Sequence, residues 1–177
     1  MHYPNTQRAT RMSLYAIDKL TAEARRLAAE YRRVTGKTLH LSGEIAVNDA
    51  VRLLELETAE ELNGAYDAVR RHPDRVERFQ IKARVVFDEL KSGHRLGELK
   101  LDKLWDTLLV VLMNAEYETV EIYSLDRATV SAQLEDSKPN KKGSLTVARV
   151  KRSGRLVWTR EGGSADAAGR SDQVQLR

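Results

Sequence analysis

The chain contains no cysteine in 177 residues, so neither a disulfide framework nor a thiolate zinc site can form. Only four histidines occur, at positions 2, 40, 72 and 94, without the spacing of a ligand set. Oxygen donors are then the metal chemistry left, and they favour a hard ion such as Mg²⁺ or Mn²⁺. Long apolar runs are also missing. The longest, Leu108 to Met113, is far short of the roughly 20 residues of a membrane span and reads as a buried strand. The N-terminus, Met1-His2-Tyr3-Pro4, lacks a basic region followed by an apolar core, so no secretory signal is read and a cytoplasmic protein is expected.

What is present is the composition of one globular domain: 41% hydrophobic and 32% charged residues, with enough length for one sizeable core. Residues 1–12 lack periodicity and are expected to be a flexible arm, 13–160 one domain, and 161–177 a disordered tail rich in Gly, Ala, Ser and Asp. The net charge of +4 is modest, but its distribution is uneven. Between Ser137 and Arg160 stand Lys138, Lys141, Lys142, Arg149, Lys151, Arg152, Arg155 and Arg160, with no Asp or Glu among them. Such clustering suits a polyanion, and the alternative is a solvated surface balanced by acids distant in sequence.

Leu14, Ile17, Leu20, Ala24, Leu27, Tyr31 and Val34 recur at helical steps, and Gly36 closes that first helix. Its other face carries Lys19, Arg25, Arg26, Arg32 and Arg33 and is expected to be solvated. Ser42 reads as the N-cap of a second helix, Gly43 to Leu56, with Glu44 in its first turn. Ala65 to Arg71 and Val76 to Phe87 read as an antiparallel pair of strands, with turns at Asn63-Gly64 and Pro73-Asp74. Trp105 to Met113 reads as a central strand covered on both faces, and Val120 to Leu125 as a fourth. Asp126 caps a short helix to Glu135, and Leu145 to Val150 and Arg155 to Trp158 read as strands around a Ser153-Gly154 turn.

Alternation places Gln80 and Lys82 on one face of their strand, with Phe79 and Ile81 on the other. If Asp67 heads the neighbouring strand, a carboxylate, an amide oxygen and an ammonium group come within reach of one another. Each residue has a plainer reading as well. Asp67 equally reads as a turn aspartate, Gln80 and Lys82 as the solvent face of a strand, and Glu44 as a partner of the helix dipole.

The order helix with Glu44, strand with Asp67, strand with Gln80-Ile81-Lys82, apolar strand, helix, strand resembles the PD-(D/E)XK, or restriction-endonuclease-like, nuclease superfamily over roughly residues 43–158. The resemblance implies an α/β fold with an α-β-β-β-α-β core, a mixed central sheet flanked by helices, here with an additional N-terminal helix and an extra strand. It implies that Asp67 is a metal ligand, that Gln80 holds the acidic position, that Lys82 is the superfamily's lysine, and that Glu44 matches the glutamate of the first core helix. Tyr66 stands in place of the proline, and Gln80 in place of Asp or Glu removes one negative charge. The activity implied is Mg²⁺-dependent hydrolysis of DNA phosphodiesters, with RNA also within reach, in a restriction or other defence role.

In this reading Asp67, the Ile81 carbonyl, Gln80 and Glu44 would hold the metal, with Mn²⁺ able to substitute. Lys82 would orient the attacking water or neutralise phosphate charge. Lys91 and Arg95 on the following loop, with Lys138, Lys141, Lys142, Lys151, Arg152 and Arg155, would touch the nucleic-acid backbone. A homodimer is expected for duplex cutting, with the first helix one candidate interface, or the chain is a subunit of a larger complex. Two alternatives are a catalytically silent DNA-binding subunit and a small interaction protein with a coincidental motif. No membrane contact is expected.

Overall fold

A computed structural model describes residues 6–59, 66–88, 93–99, 101–135 and 145–165, with side chains from residue 15 onward. Within them run α1 (Thr6–Thr35), α2 (Ser42–Leu53), β1 (Glu57–Thr58), β2 (Ala68–Arg71), β3 (Val76–Val85), β4 (Thr107–Met113), β5 (Thr119–Asp126), α3 (Arg127–Glu135), α4 (Val147–Ser153), β6 (Arg155–Thr159) and β7 (Gly163–Ser164). The strands form one mixed sheet in the order β1-β2-β3-β4-β5-β6-β7. Only β3 and β4 are parallel, and every other neighbouring pair is antiparallel.

The sheet is the middle of three layers, because β4 is apolar on both faces and all seven of its residues are buried. Leu109, Val111 and Met113 face α1 and α2 together with Phe79, Ile81 and Val85 of β3 and Ile122 of β5. Leu108, Val110 and Leu112 face the opposite way, against Val130 of α3, Val147 and Val150 of α4, and Leu96, Leu99 and Trp105 of the β3–β4 connection. Period-two alternation thus sends odd-numbered β3 residues to the first face and Gln80, Lys82 and Arg84 to the second.

Several boundaries differ from the sequence reading, each for a local reason. Helix α1 begins at Thr6, inside the expected arm, since residues 6–12 hold no Gly or Pro and extending an existing helix is cheap. Ser42 is the first helical residue, not the cap; Leu41 stands at the N-cap and makes no side-chain cap bond. The apolar content of Leu145 to Val150 suggests a strand, but helix α4 forms there. Thr146 caps it by accepting from the Arg149 N–H, and Val147 and Val150 are buried at an i, i+3 spacing. That helix ends at Gly154, where a Cβ would lie 2.7 Å from the Val150 carbonyl oxygen and 3.0 Å from Leu125. Two short edge strands, β1 and β7, carry no sequence signal of their own, and β7 pairs with β6 inside the expected tail.

The first helix also packs on a different face from the one its leucines suggest. Ala28 is fully buried, whereas Leu20, Leu27 and Val34 are 64%, 59% and 74% exposed. Ala28 and Ala29 of α1 pack into the first-face cluster with α2, and two arginines expected in solvent turn inward. Arg25 donates to Asp49 and to the Tyr117 carbonyl, and the Arg32 guanidinium lies 3.5 Å from the Phe87 ring centroid. The face of α1 turned to the core thus carries a charge-assisted pair to a buried carboxylate, while the leucine stripe stays exposed. Among the described residues no helix is long and apolar enough to cross a membrane.

Candidate functional site

The hairpin β2–β3 is the local frame. The β2–β3 register ends at Ala68↔Phe79, and Asp67 immediately precedes β2 beside that pair. The Asp67 N–H donates to the Phe79 carbonyl at 2.8 Å, and its Oδ2 accepts from the Ile81 N–H at 2.7 Å. Among the described residues β3 beyond Phe79 pairs along its length only with β4, so a carboxylate takes the place of a ladder bond just before β2 begins. The N–H and C=O of one residue in an antiparallel ladder point to the same side, so the Ile81 carbonyl is directed to the Asp67 side of the strand. One edge thereby gathers the Asp67 carboxylate and the Ile81 main chain, and Gln80 precedes Ile81 on the same strand.

Gln80 is 4% exposed, while Asp67 and Lys82 are half-buried. Lys82 makes no hydrogen bond or ion pair among the described residues. Beside it, register pairs Gln80 with Leu108 and Lys82 with Val110, so the apolar wall of β4 limits hydration on that side. The Tyr66 ring packs against the core cluster of this face.

Glu44 sits elsewhere. It is exposed on the first turn of α2 and lines a shallow groove with Ile17, Leu20, Thr21 and Ala24 of α1. That groove belongs to the α1–α2 layer, whereas Gln80 and Lys82 point to the opposite face of the sheet. Asp106 immediately precedes β4, and its Oδ2 accepts from the Arg78 N–H of β3 at 2.8 Å. Trp105 is a core residue with the Arg127 guanidinium 4.8 Å from its ring centroid, and Trp158 packs against the first-face cluster.

The basic segment divides. Lys91, Lys138, Lys141 and Lys142 lie outside the described residues. Lys151 pairs with Glu121 of β5 at 2.6 Å and stands over the Tyr123 ring, so part of this charge is balanced by an acid distant in sequence. Burial is the main reason the Tyr123 phenol is pushed above its ordinary range, with Glu121 adding to it. Arg152 and Arg155 are exposed at the α4–β6 corner, and Arg95 is exposed on the connection that bridges to Thr146.

No protein-family model matches the chain, and the curated proteins contain no match to it. The chemistry therefore rests on the residues themselves. Among the described residues no group of three or more His, Asp or Glu side chains could hold a metal ion. A hard cation here would depend on one carboxylate and neutral oxygens, a set that suits an ion keeping most of its water shell.

Two residues, one beside the site and one on the opposite face, escape the sequence reading. Arg84 continues the Gln80, Lys82 row, and the period-two rule that links the first two residues would have found it. Asp49 is 2% exposed; nothing in a single sequence distinguishes a buried helix aspartate from the polar side of the same helix.

Proposed function

We propose that the chain is a Mg²⁺-dependent nuclease of the restriction-endonuclease-like type, hydrolysing DNA phosphodiester bonds at the Asp67, Gln80 and Lys82 cluster. One observation carries the reading: the Asp67 carboxylate is fixed against the Ile81 N–H, between Gln80 and Lys82 in the chain, and the Lys82 ammonium has no acidic partner among the described residues. A half-buried cation with no counter-ion is costly unless an anion visits it. A substrate phosphate is such an anion.

Asp67 and the Ile81 carbonyl would hold the metal, with the Gln80 amide oxygen as a neutral third donor. Bound there, Mg²⁺ would polarise a phosphate oxygen and lower the pKa of a coordinated water. Lys82 neutralises charge building on the phosphate, and its three donors can orient a water for attack. The Asp67–Ile81 bond keeps the carboxylate from swinging away, so the ligand is positioned before substrate arrives. Glu44, exposed on the other layer, is left out of this set. A defence role is the setting that the resemblance suggests.

The test is supercoiled plasmid and linear duplex incubated with the protein in Mg²⁺, Mn²⁺ or EDTA, beside Lys82→Ala. Metal-dependent nicking lost in the variant supports the reading, and a folded protein that leaves all DNA intact overturns it. The second reading, a DNA-binding subunit without its own chemistry, is favoured by the single carboxylate at the cluster and by Gln80 in the acidic position. It predicts retardation of DNA at low salt without cutting. Cutting both strands calls for two centres, and the exposed Leu20, Leu27, Tyr31 and Val34 row on α1 is where a second copy would dock. Light scattering at twice the monomer mass supports that arrangement, and a monomer with and without DNA removes it.

A further inference from the structure

Arg84 lies two residues beyond Lys82 on the same face of β3, half-buried, and its chemistry is incomplete. Its Nη2 is 3.2 Å from His94 Nδ1, and His94 Nε2 is 3.1 Å from the Asp88 carbonyl oxygen. A guanidinium only donates, so Nδ1 accepts and the ring proton sits on Nε2, donated to Asp88. His94 is thereby a neutral prop that aims the guanidinium but leaves its charge in place. Nε of Arg84 is buried and meets no acceptor.

No carboxylate among the described residues reaches Arg84 or Lys82 at ion-pair distance. The acid in register with Arg84 across the sheet is Glu121, two strands away past Leu112, and it is held by Lys151. Two cations thus stand in a row, and among the described residues both lack the acidic partner that usually accompanies a cation leaving water. Residues i and i+2 of a strand are about 6.7 Å apart, which is comparable with the step between successive phosphates of an extended nucleic-acid strand. Beyond Arg84 the face opens into a cavity of about 590 Å³ lined in part by Val86, His94, Glu121 and Lys151, so a strand leaving Lys82 has room to continue.

We propose that Arg84, aimed by His94, binds a second backbone phosphate of the strand whose scissile phosphate lies at Asp67, Gln80 and Lys82. The proposal rests on the nuclease reading above and adds the direction in which the strand runs, toward the C-terminal end of β3. Arg84 is a binding residue, and its donors fix the register of the strand over the cluster. The guanidinium fork matches a phosphate's oxygens in two bonds, which an ammonium cannot do.

The experiment is the affinity of wild type, Arg84→Gln and Arg84→Met for a fluorescent duplex oligonucleotide in EDTA, titrated at several salt concentrations, with folding checked by thermal melting. One lost phosphate contact lowers the slope of log K against log salt by about 0.9, and affinity at low salt falls about tenfold. A purely structural role would lower the melting temperature and leave the slope unchanged. Arg84→Met keeps the alkyl stem and carries the same reading if the glutamine variant does not fold. Wild-type binding with an unaltered slope in a folded variant overturns this proposal alone. Failure of the wild type to bind overturns it together with the nuclease reading.

Discussion

Two polar clusters stand on opposite faces of the same sheet, and they are finished to different degrees. On the α1–α2 face the Asp49 carboxylate is buried and every side of it is answered. Arg25 Nη2 bridges its two oxygens at 2.9 and 3.1 Å, the Thr119 hydroxyl donates at 2.6 Å, and Arg52 approaches to 3.6 Å. The cluster ties α1, α2 and β5 together. On the other face Lys82 and Arg84 have no acid beside them among the described residues, and the Asp67 carboxylate at the edge of β3 accepts a single hydrogen bond there. A closed polar cluster costs little once assembled and serves to hold the fold. An open one is carried at a cost to stability, and it calls for an external partner to complete it.

The largest effect should come from breaking the closed cluster. Asp49→Ala leaves Arg25 half-buried without its partner and the Thr119 hydroxyl without its acceptor, and should lower stability by about 3–5 kcal/mol in denaturant unfolding. A smaller loss would mean that Arg25 escapes to solvent and that α1 is only loosely held.

Acid probes the rim of the same region. Glu118 is held at about 2, well below the usual carboxylate value, first by the Arg160 hydrogen bond at 2.5 Å and then by Asn114. Its folded pKa is the lower one, so its contribution is complete above about 4.5 and disappears as pH falls toward 2. Thermal unfolding should show wild-type stability declining across that window, and Glu118→Gln should flatten the decline. The pair is half exposed, so salt should weaken the effect.

The smallest stability change should come from the open cluster. Lys82→Met removes an ammonium that has no partner among the described residues and keeps the alkyl stem, so the melting temperature should stay level or rise slightly. Cleavage should nevertheless be lost. A fall in stability as large as that of Asp49→Ala would erase the distinction between the two faces.

The legibility of these regions in the sequence follows from the range of the interactions that make them. The strands β2 to β5 are readable because period-two alternation and Leu108 to Met113 are local signals. Gln80 and Lys82 fall on one face for the same reason, and the position of Asp67 follows from the hairpin's short connection. The α1 orientation is not readable, since it depends on Arg25 meeting Asp49, 24 residues away, against the direction its leucines suggest. Helix α4 is hidden because Val147 and Val150 suit a strand equally well, and the Thr146 cap decides only once the chain turns. The separation of Glu44 from the β3 row is a matter of which layer α2 joins, a property of tertiary packing that periodicity does not encode.

The most direct test of the account replaces one carboxylate in each cluster and reads fold and chemistry from the same preparations. Asp67→Asn keeps an oxygen to accept from the Ile81 N–H while removing the charge; Asp49→Asn keeps the shape of its pair and removes the charge that Arg25 answers. Melting temperature and Mg²⁺-dependent plasmid cleavage are measured for both beside wild type. Wild type should cut, Asp67→Asn should melt close to wild type and not cut, and Asp49→Asn should melt markedly lower yet cut wherever it remains folded. Cleavage by Asp67→Asn at the wild-type rate, or a wild type that does not cut, would contradict the nuclease reading.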